Sequence, residues 1–320
     1  MKHVRILGLA LVAVFAMAAI AAAGASAASP EWGECVAKAG GKYLDANCQT
    51  KGKGGSYEWK KGATLPNHKF TGENVGSGGV LGSAVMNCEE EQPVGSGKNG
   101  PNAEKRLPRS KCANGLNDSV DVAGEIECEK ENNSGEAVGK DKIANVHVLF
   151  KGCLLLGQLP CTSEGLTEGE IETKPLQGEL GYINKAAHEV GVRLTPAKKK
   201  GLFAEFVCGN GSVNRLVVQV GMGNTKEGAY YAPENKGGND GIISPITPVN
   251  AMTTQFTQVY KLERSTAENT PNKFEGKPIS LLEDNIEQTA GGVHQQQDWG
   301  PSGEEITNVN TPEVPGEIKG

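Results

Sequence analysis

The side chains whose type and spacing first suggest chemistry are four aromatics and eight cysteines. Trp32, Tyr43, Tyr57 and Trp59 hold a quarter of the chain's 16 aromatic rings within a short N-terminal stretch. Aromatic rings join an apolar face to a polar edge, so such a set can form a platform on which sugar rings stack. The alternative is that they form the core of a module too small to bury much else. The cysteines are Cys35, Cys48, Cys88, Cys112, Cys128, Cys153, Cys161 and Cys208. None forms a C-x-x-C pair, so zinc-finger spacing is missing and an even disulfide framework is the expectation. Local closure favours Cys35–Cys48 and Cys153–Cys161. Cys88–Cys112 would staple a polar insertion, which leaves Cys128–Cys208 to tie distant strands.

Catalytic signatures are absent. The chain has no G-x-S-x-G elbow and no H-E-x-x-H pair. Gly95-Ser-Gly-Lys98 lacks the leading glycine spacing and trailing hydroxyl of a phosphate loop. His147 sits mid-strand on the face opposite the valines, where a solvent-facing histidine and a general base look alike. The 38 acidic residues always offer carboxylate pairs for glycoside hydrolysis, and only their separation in space decides. No catalytic residue, cofactor or metal ligand is predicted.

The N-terminus carries the sharpest signal. Lys2 and Arg5 precede an unbroken apolar or glycine run from Ile6 to Ala23, and Ala25-Ser-Ala27 supplies the small residues of a signal-peptidase site. Residues 1–27 therefore read as a cleaved secretory signal, cut between Ala27 and Ala28, rather than an anchor: the run is short, alanine-rich and has no basic stop-transfer cluster after it. Export is consistent with disulfides and places the mature protein outside the cell, without stable membrane insertion. The whole chain has 32 basic against 38 acidic residues, and losing Lys2 and Arg5 takes the net charge from −6 to −8. A mildly acidic chain without basic runs argues against a nucleic-acid partner.

The elements that would position these residues are strands. Abundant glycine and few aromatics favour many short strands over packed helices. Ala144–Phe150 alternates, with Ala144, Val146, Val148 and Phe150 on one face and Asn145 and His147 on the other. Val190–Leu194, Leu202–Cys208, Leu216–Val220 and Phe256–Leu262 continue the pattern, and Gly209-Asn-Gly211 is a hairpin turn. An all-β sandwich or barrel of short antiparallel strands is expected, preceded by a small disulfide-stapled module. The domains read as signal 1–27, Cys/aromatic module 28–64, β-rich body 65–310 with a polar insertion at 88–118, and a flexible tail 311–320.

Trp32-Gly-Glu-Cys35 with Ser56-Tyr-Glu-Trp59, and in the body Phe150-Lys-Gly-Cys153, Gly178-Glu-Leu-Gly-Tyr-Ile183 and Ile246-Thr-Pro-Val-Asn250, resemble a recurrent pattern of uncharacterised secreted bacterial proteins. The resemblance covers 28–64 and 120–310. It implies a secreted, β-rich protein and carries no activity. With no visible catalytic constellation, the expected function is a non-enzymatic structural or interaction protein of the cell envelope or exterior. A carbohydrate or peptidoglycan binder is the alternative, and a hydrolase with dispersed carboxylates the second. Envelope polysaccharide or another exported protein is the expected kind of partner. N-terminal sequencing of protein from culture medium should begin Ala28-Ser-Pro or Ser29-Pro-Glu; intact Met1 in a membrane pellet would contradict cleavage.

Overall fold

In the computed structural model, the described residues are 29–76, 79–87, 121–198, 201–209, 214–221, 241–263, 268–290 and 293–320. The signal segment, the 88–118 insertion and the expected Cys88–Cys112 pair lie outside them. The regular structure of the described chain is strand, apart from one 3-10 turn at Gly62–Thr64, with no α-helix. The all-β expectation holds, and its architecture is a barrel with further strands.

The chain starts with a long hairpin, β1 (Glu31–Tyr43) and β2 (Lys51–Lys61). Asp45 organises its turn: the carboxylate accepts hydrogen bonds from the backbone N–H of Asn47, Gln49 and Thr50, which hold it below the ordinary carboxylate range. The Cys35–Cys48 disulfide closes the same hairpin. Next come β3 (His68–Asn74), β4 (Gly79–Asn87), β5 (Asp121–Cys128), β6 (Lys130–Val138) and β7 (Lys142–Lys151). The short β8 (Leu154–Leu155), β9 (Leu159–Thr162) and β10 (Ile171–Glu172) lead to β11 (Leu176–Asn184) and β12 (Glu189–Pro196). Then follow β13 (Leu202–Cys208), β14 (Asn214–Gly221), β15 (Ile242–Thr247) and β16 (Phe256–Tyr260). The last elements are β17 (Leu262–Glu263), β18 (Glu268–Asn269), β19 (Leu282–Ala290), β20 (Val293–Ser302), β21 (Glu304–Pro312) and β22 (Glu317–Lys319).

Eight of these close on themselves. The antiparallel ladder runs β3–β6–β7–β11–β12–β15–β16–β21 and returns from β21 to β3. Closure leaves no free edge in the ring. The predicted strands Ala144–Phe150 and Val190–Leu194 lie in this ring as parts of β7 and β12. Val146, Val148, Phe150, Val190, Val192 and Leu194 all turn inward and are buried, while His147 faces out. Asn145 takes φ 51°, a bulge that shifts the alternation so that Ile143 and Val146, not Ala144 and Val146, face the interior. Of the other strands, β4, β5, β8, β9, β13, β14, β19 and β20 form a second antiparallel sheet, hydrogen-bonded in that order and joined to the ring where Glu304 and Glu305 pair with Leu81 and Val80.

The cysteine pairing differs from the expectation. Cys128 joins Cys153 and Cys161 joins Cys208, replacing Cys128–Cys208 and Cys153–Cys161. Register is the reason. Cys161 lies directly opposite Cys208 on neighbouring strands, and the Glu127–Leu154 pairing carries Cys128 to Cys153 one step further along. Cys153 and Cys161, close in sequence, instead share a backbone hydrogen bond while each sulfur turns to another strand. All four are buried.

The ends of the chain also differ from the expectation. Residues 311–320 are not a flexible tail: Thr311 and Pro312 finish β21, and β22 pairs with Glu31–Gly33 of β1. The N-terminal hairpin, stapled by Cys35–Cys48, is joined to the end of the chain through β22. With β22 it makes a three-stranded cap, which turns Trp32, Glu34 and Ile318 into one end of the barrel.

The loops closed by the two body disulfides span 25 and 47 residues. On the chain-entropy account each contributes about 3–4 kcal/mol. Non-reducing peptide mapping should yield Cys128–Cys153 and Cys161–Cys208 fragments. The Cys161→Ala/Cys208→Ala double variant should melt about 5–10 °C lower; an unchanged Tm would show the bond to be dispensable.

Candidate functional site

The barrel interior has two unlike walls. Strands β7, β11 and β12 present aliphatic side chains, among them Val148, Leu176 and Val192, each almost fully buried. The opposite wall, on β3, β6, β16 and β21, is polar. Glu131 and Asn133 of β6, Gln258 and Tyr260 of β16 and Asn308 and Asn310 of β21 all point inward at alternate positions. Between them Gly72 of β3 lies opposite Asn133 on one side and Asn310 on the other.

Hydrogen bonds tie this wall together. Glu131, 1% exposed, accepts at Oε1 from Asn133 Nδ2 (3.1 Å) and Asn308 Nδ2 (2.9 Å). Its backbone N–H donates to Asn74 Oδ1 at 2.9 Å. Asn310 Nδ2 donates to Gln258 Oε1 (2.7 Å), and Gln258 Nε2 donates to Ser244 Oγ (2.9 Å). Near the junction with the second sheet, Asn269 substitutes for a strand: its Oδ1 accepts from Glu304 N and its Nδ2 donates to Glu304 O.

The electrostatics are unusual for so enclosed a place. Burial raises the Glu131 carboxyl, partly offset by the two amide hydrogen bonds. Burial, with the nearby Glu131 charge second, pushes Glu304 well above the ordinary carboxylate range. The Tyr260 phenol is pushed up for the same reasons, burial first and then Glu304. Among the described residues no Lys, Arg or His pairs with Glu131 or Glu304. Both line an internal cavity of about 100 Å³ that runs from the barrel toward Phe203 and Phe206 of the second sheet. That volume suits a few waters or an ion. A glycan chain flanked by two carboxylates would not fit, so the interior pair offers no support for polysaccharide hydrolysis.

At the capped end, Glu34 Oε1 lies 2.6 Å from His68 Nε2, and the Trp32 ring meets His68 edge-on at 5.7 Å. Burial raises the Glu34 carboxyl, and the His68 charge opposes the shift.

The four aromatics singled out by sequence do not form one platform. Trp32 turns inward with Glu34, while Tyr57 and Trp59 sit opposite Ala37 and Cys35 on the other face of the hairpin. The Trp59 ring lies against Gly33, whose absent Cβ leaves room for it, and Lys319 Nζ stands 3.9 Å from its centroid on a cation–π contact. Tyr43 and Tyr57 remain half-exposed near the hairpin turn, beside Leu44, which is 53% exposed. Six lysines are exposed along the hairpin: Lys38 and Lys42 on β1, Lys51 and Lys53 near the turn, and Lys60 and Lys61 at the base opposite Glu34 and Gly33. Lys38 and Lys42 share Glu58, whose carboxyl they hold below its ordinary range.

Sequence reading missed the polar wall. Its members are scattered, with 177 residues between Glu131 and Asn308, and no local motif marks them. No protein family, curated protein or solved structure matches this chain.

A carboxyl raised on folding binds protons that the unfolded chain releases. Its stabilising contribution is present below the model-compound value of 4.5 and declines as pH rises toward the folded value. In chelator-containing buffer, raising the pH from about 4.5 to about 8 should lower the wild-type Tm more than that of Glu304→Gln, by about 2–5 °C. Parallel curves would show that Glu304 titrates normally.

Proposed function

We propose that the protein is exported and non-enzymatic, and that it binds an anionic polysaccharide of the cell envelope through its N-terminal hairpin. The observation that carries this reading is the lysine cluster on β1 and β2. The chain is −8 once the signal segment is removed, yet residues 31–61 carry six lysines against Glu31, Glu34, Asp45 and Glu58. Glu34 is turned inward toward His68, so the exposed hairpin is more positive still. A basic projection on an acidic body orients the molecule toward a polyanion and keeps the body away from it.

Lysines also guard exposed strand edges against unwanted pairing, and β2 is the free edge of its sheet. Edge protection accounts for a few of them. It does not require the half-exposed Tyr43 and Tyr57 alongside, which can stack on sugar faces. The disulfide, the Asp45-organised turn and β22 hold the hairpin rigid before any partner arrives, so little ordering entropy is lost on binding. Export is supported by the N-terminal segment and by the three disulfides.

Co-sedimentation of the mature protein with isolated cell envelopes tests this reading. Binding should be strong at about 50 mM salt and fall steeply by about 500 mM, as the Debye length shrinks. Lys51→Glu/Lys53→Glu/Lys60→Glu/Lys61→Glu should lose at least tenfold in affinity while keeping its melting curve. Equal binding by this variant, or no binding at low salt, would sink the proposal.

A further inference from the structure

The polar wall of the barrel has an imbalance that protein groups do not resolve. Among the described residues, four buried side-chain oxygens of this wall lack a hydrogen-bond donor: Glu131 Oε2, Asn133 Oδ1, Asn308 Oδ1 and Asn310 Oδ1. Every one is an acceptor. Glu131 itself fixes the orientation of two of them, because a carboxylate must face the nitrogens of Asn133 and Asn308 and so leaves their oxygens turned elsewhere. Around Gly72 two of the oxygens converge. A Cβ there would lie 2.3 Å from Asn310 Oδ1 and 2.6 and 2.7 Å from Asn133 Oδ1 and Nδ2, so the two amides meet over the bare Cα.

We infer that Glu131, together with the amide oxygens of Asn133, Asn308 and Asn310, forms a site for a calcium ion inside the barrel. Buried oxygens without donors call for either water or a cation. Water would satisfy them, but it would leave the Glu131 carboxylate, buried without a cationic partner, uncompensated. A metal ion meets both needs. The donors are carboxylate and amide oxygens only, which suits a hard cation; His and Cys ligands that would favour zinc or copper do not line the wall. Among the described residues no three His, Cys, Asp or Glu side chains gather into a metal cluster, so amide oxygens and waters complete the shell. Calcium tolerates an irregular set of six to eight oxygens, whereas magnesium demands a near-regular octahedron and gives up its waters reluctantly. The Glu304 carboxyl and the Tyr260 phenol face the same cavity and complete the titratable surroundings, together with Asp284.

The test uses the full mature protein, stripped with a chelator and then titrated with calcium chloride at neutral pH. With affinity in the range of about 10⁻⁴–10⁻³ M usual for extracellular calcium modules, about 10 mM calcium should raise the Tm by about 2–5 °C. Terbium, a luminescent calcium surrogate, should be sensitised by Tyr260 and displaced by calcium. Glu131→Gln keeps the side chain's shape and removes its charge; it should abolish both responses while retaining the β-type circular dichroism of the wild type. Gly72→Ala, which fills the gap between the two amides, should weaken calcium at least tenfold. A folded wild-type protein with no calcium-dependent Tm and no terbium luminescence holds water only, and that overturns the inference. An equal response to magnesium, or a calcium response unchanged in a folded Glu131→Gln variant, overturns it as well.

Discussion

Ring closure by β21 is the constraint on which the rest of the structure depends. This strand, close to the C-terminus, hydrogen-bonds β16 on one edge and β3 on the other. Until it is in place the eight-stranded ring is an open sheet with two exposed edges, and its interior is wet. Closure therefore joins residues separated by most of the chain, a topology of high contact order whose entropy cost is met before its contacts form. Everything internal follows from that seam: the burial of the aliphatic wall, the enclosure of Glu131, and the cap, whose strand β22 lies just beyond β21.

The inward polar side chains are concentrated at this seam. Asn310, Gly72 and Asn133 lie in register across β21, β3 and β6, and Asn308 reaches Glu131 over the same gap. A strand slipped by one residue turns every inward side chain outward. On an aliphatic seam such a slip would still offer apolar contacts elsewhere. Here it would break the Asn308–Glu131 and Asn310–Gln258 bonds and bury carboxyl and amide groups without partners, at a cost of about 1–3 kcal/mol each. The polar wall thus selects the closing register, a role that buried polar groups serve best where several alignments compete. The two buried disulfides act beside the ring: one closes β5 and the β7–β8 link, and the other fixes β9 to β13.

What could be read from the sequence tracks this division. On β7, β12 and β13 the hydrophobic alternation or continuous apolar run coincides with the inward face, so Val146, Val148, Val190, Val192 and Phe206 announce themselves. On β21 the pattern is mixed: Ile306, Asn308 and Asn310 turn inward while Val309 is less buried, so hydrophobicity alone does not assign the faces. Glycine at 72 and 135 erases the signal on β3 and β6 in the same way. The cysteines were legible as a framework but not as pairs, because proximity in sequence favoured Cys153–Cys161 whereas cross-strand register chose Cys161–Cys208. The N-terminal aromatics were legible as a cluster, but their division between two faces depended on the hairpin's alternation and on a C-terminal strand that sequence reading took for a tail.

The placement of charge shows why the polar wall is more than a register device. Choosing a register needs neutral amides, and Asn308, Asn310 and Gln258 would suffice. A carboxylate adds a desolvation cost that amide hydrogen bonds only partly offset, which is why burial is the leading influence on Glu131. Glu304 nearby adds to the burden, since the Glu131 charge makes its buried carboxyl harder still to ionise. A glutamine at either position would keep the packing and remove the penalty. Natural sequences violate their own folding rules chiefly where something else is being served. In this barrel the violation is confined to one wall and faces a cavity; all of its unanswered groups are acceptors, and aliphatic residues line the opposite wall. A cation would be held more strongly there than at the surface, because the low-dielectric wall sharpens its attraction to the carboxylates. Bound across β6 and β21, it would also lock the seam on which closure depends.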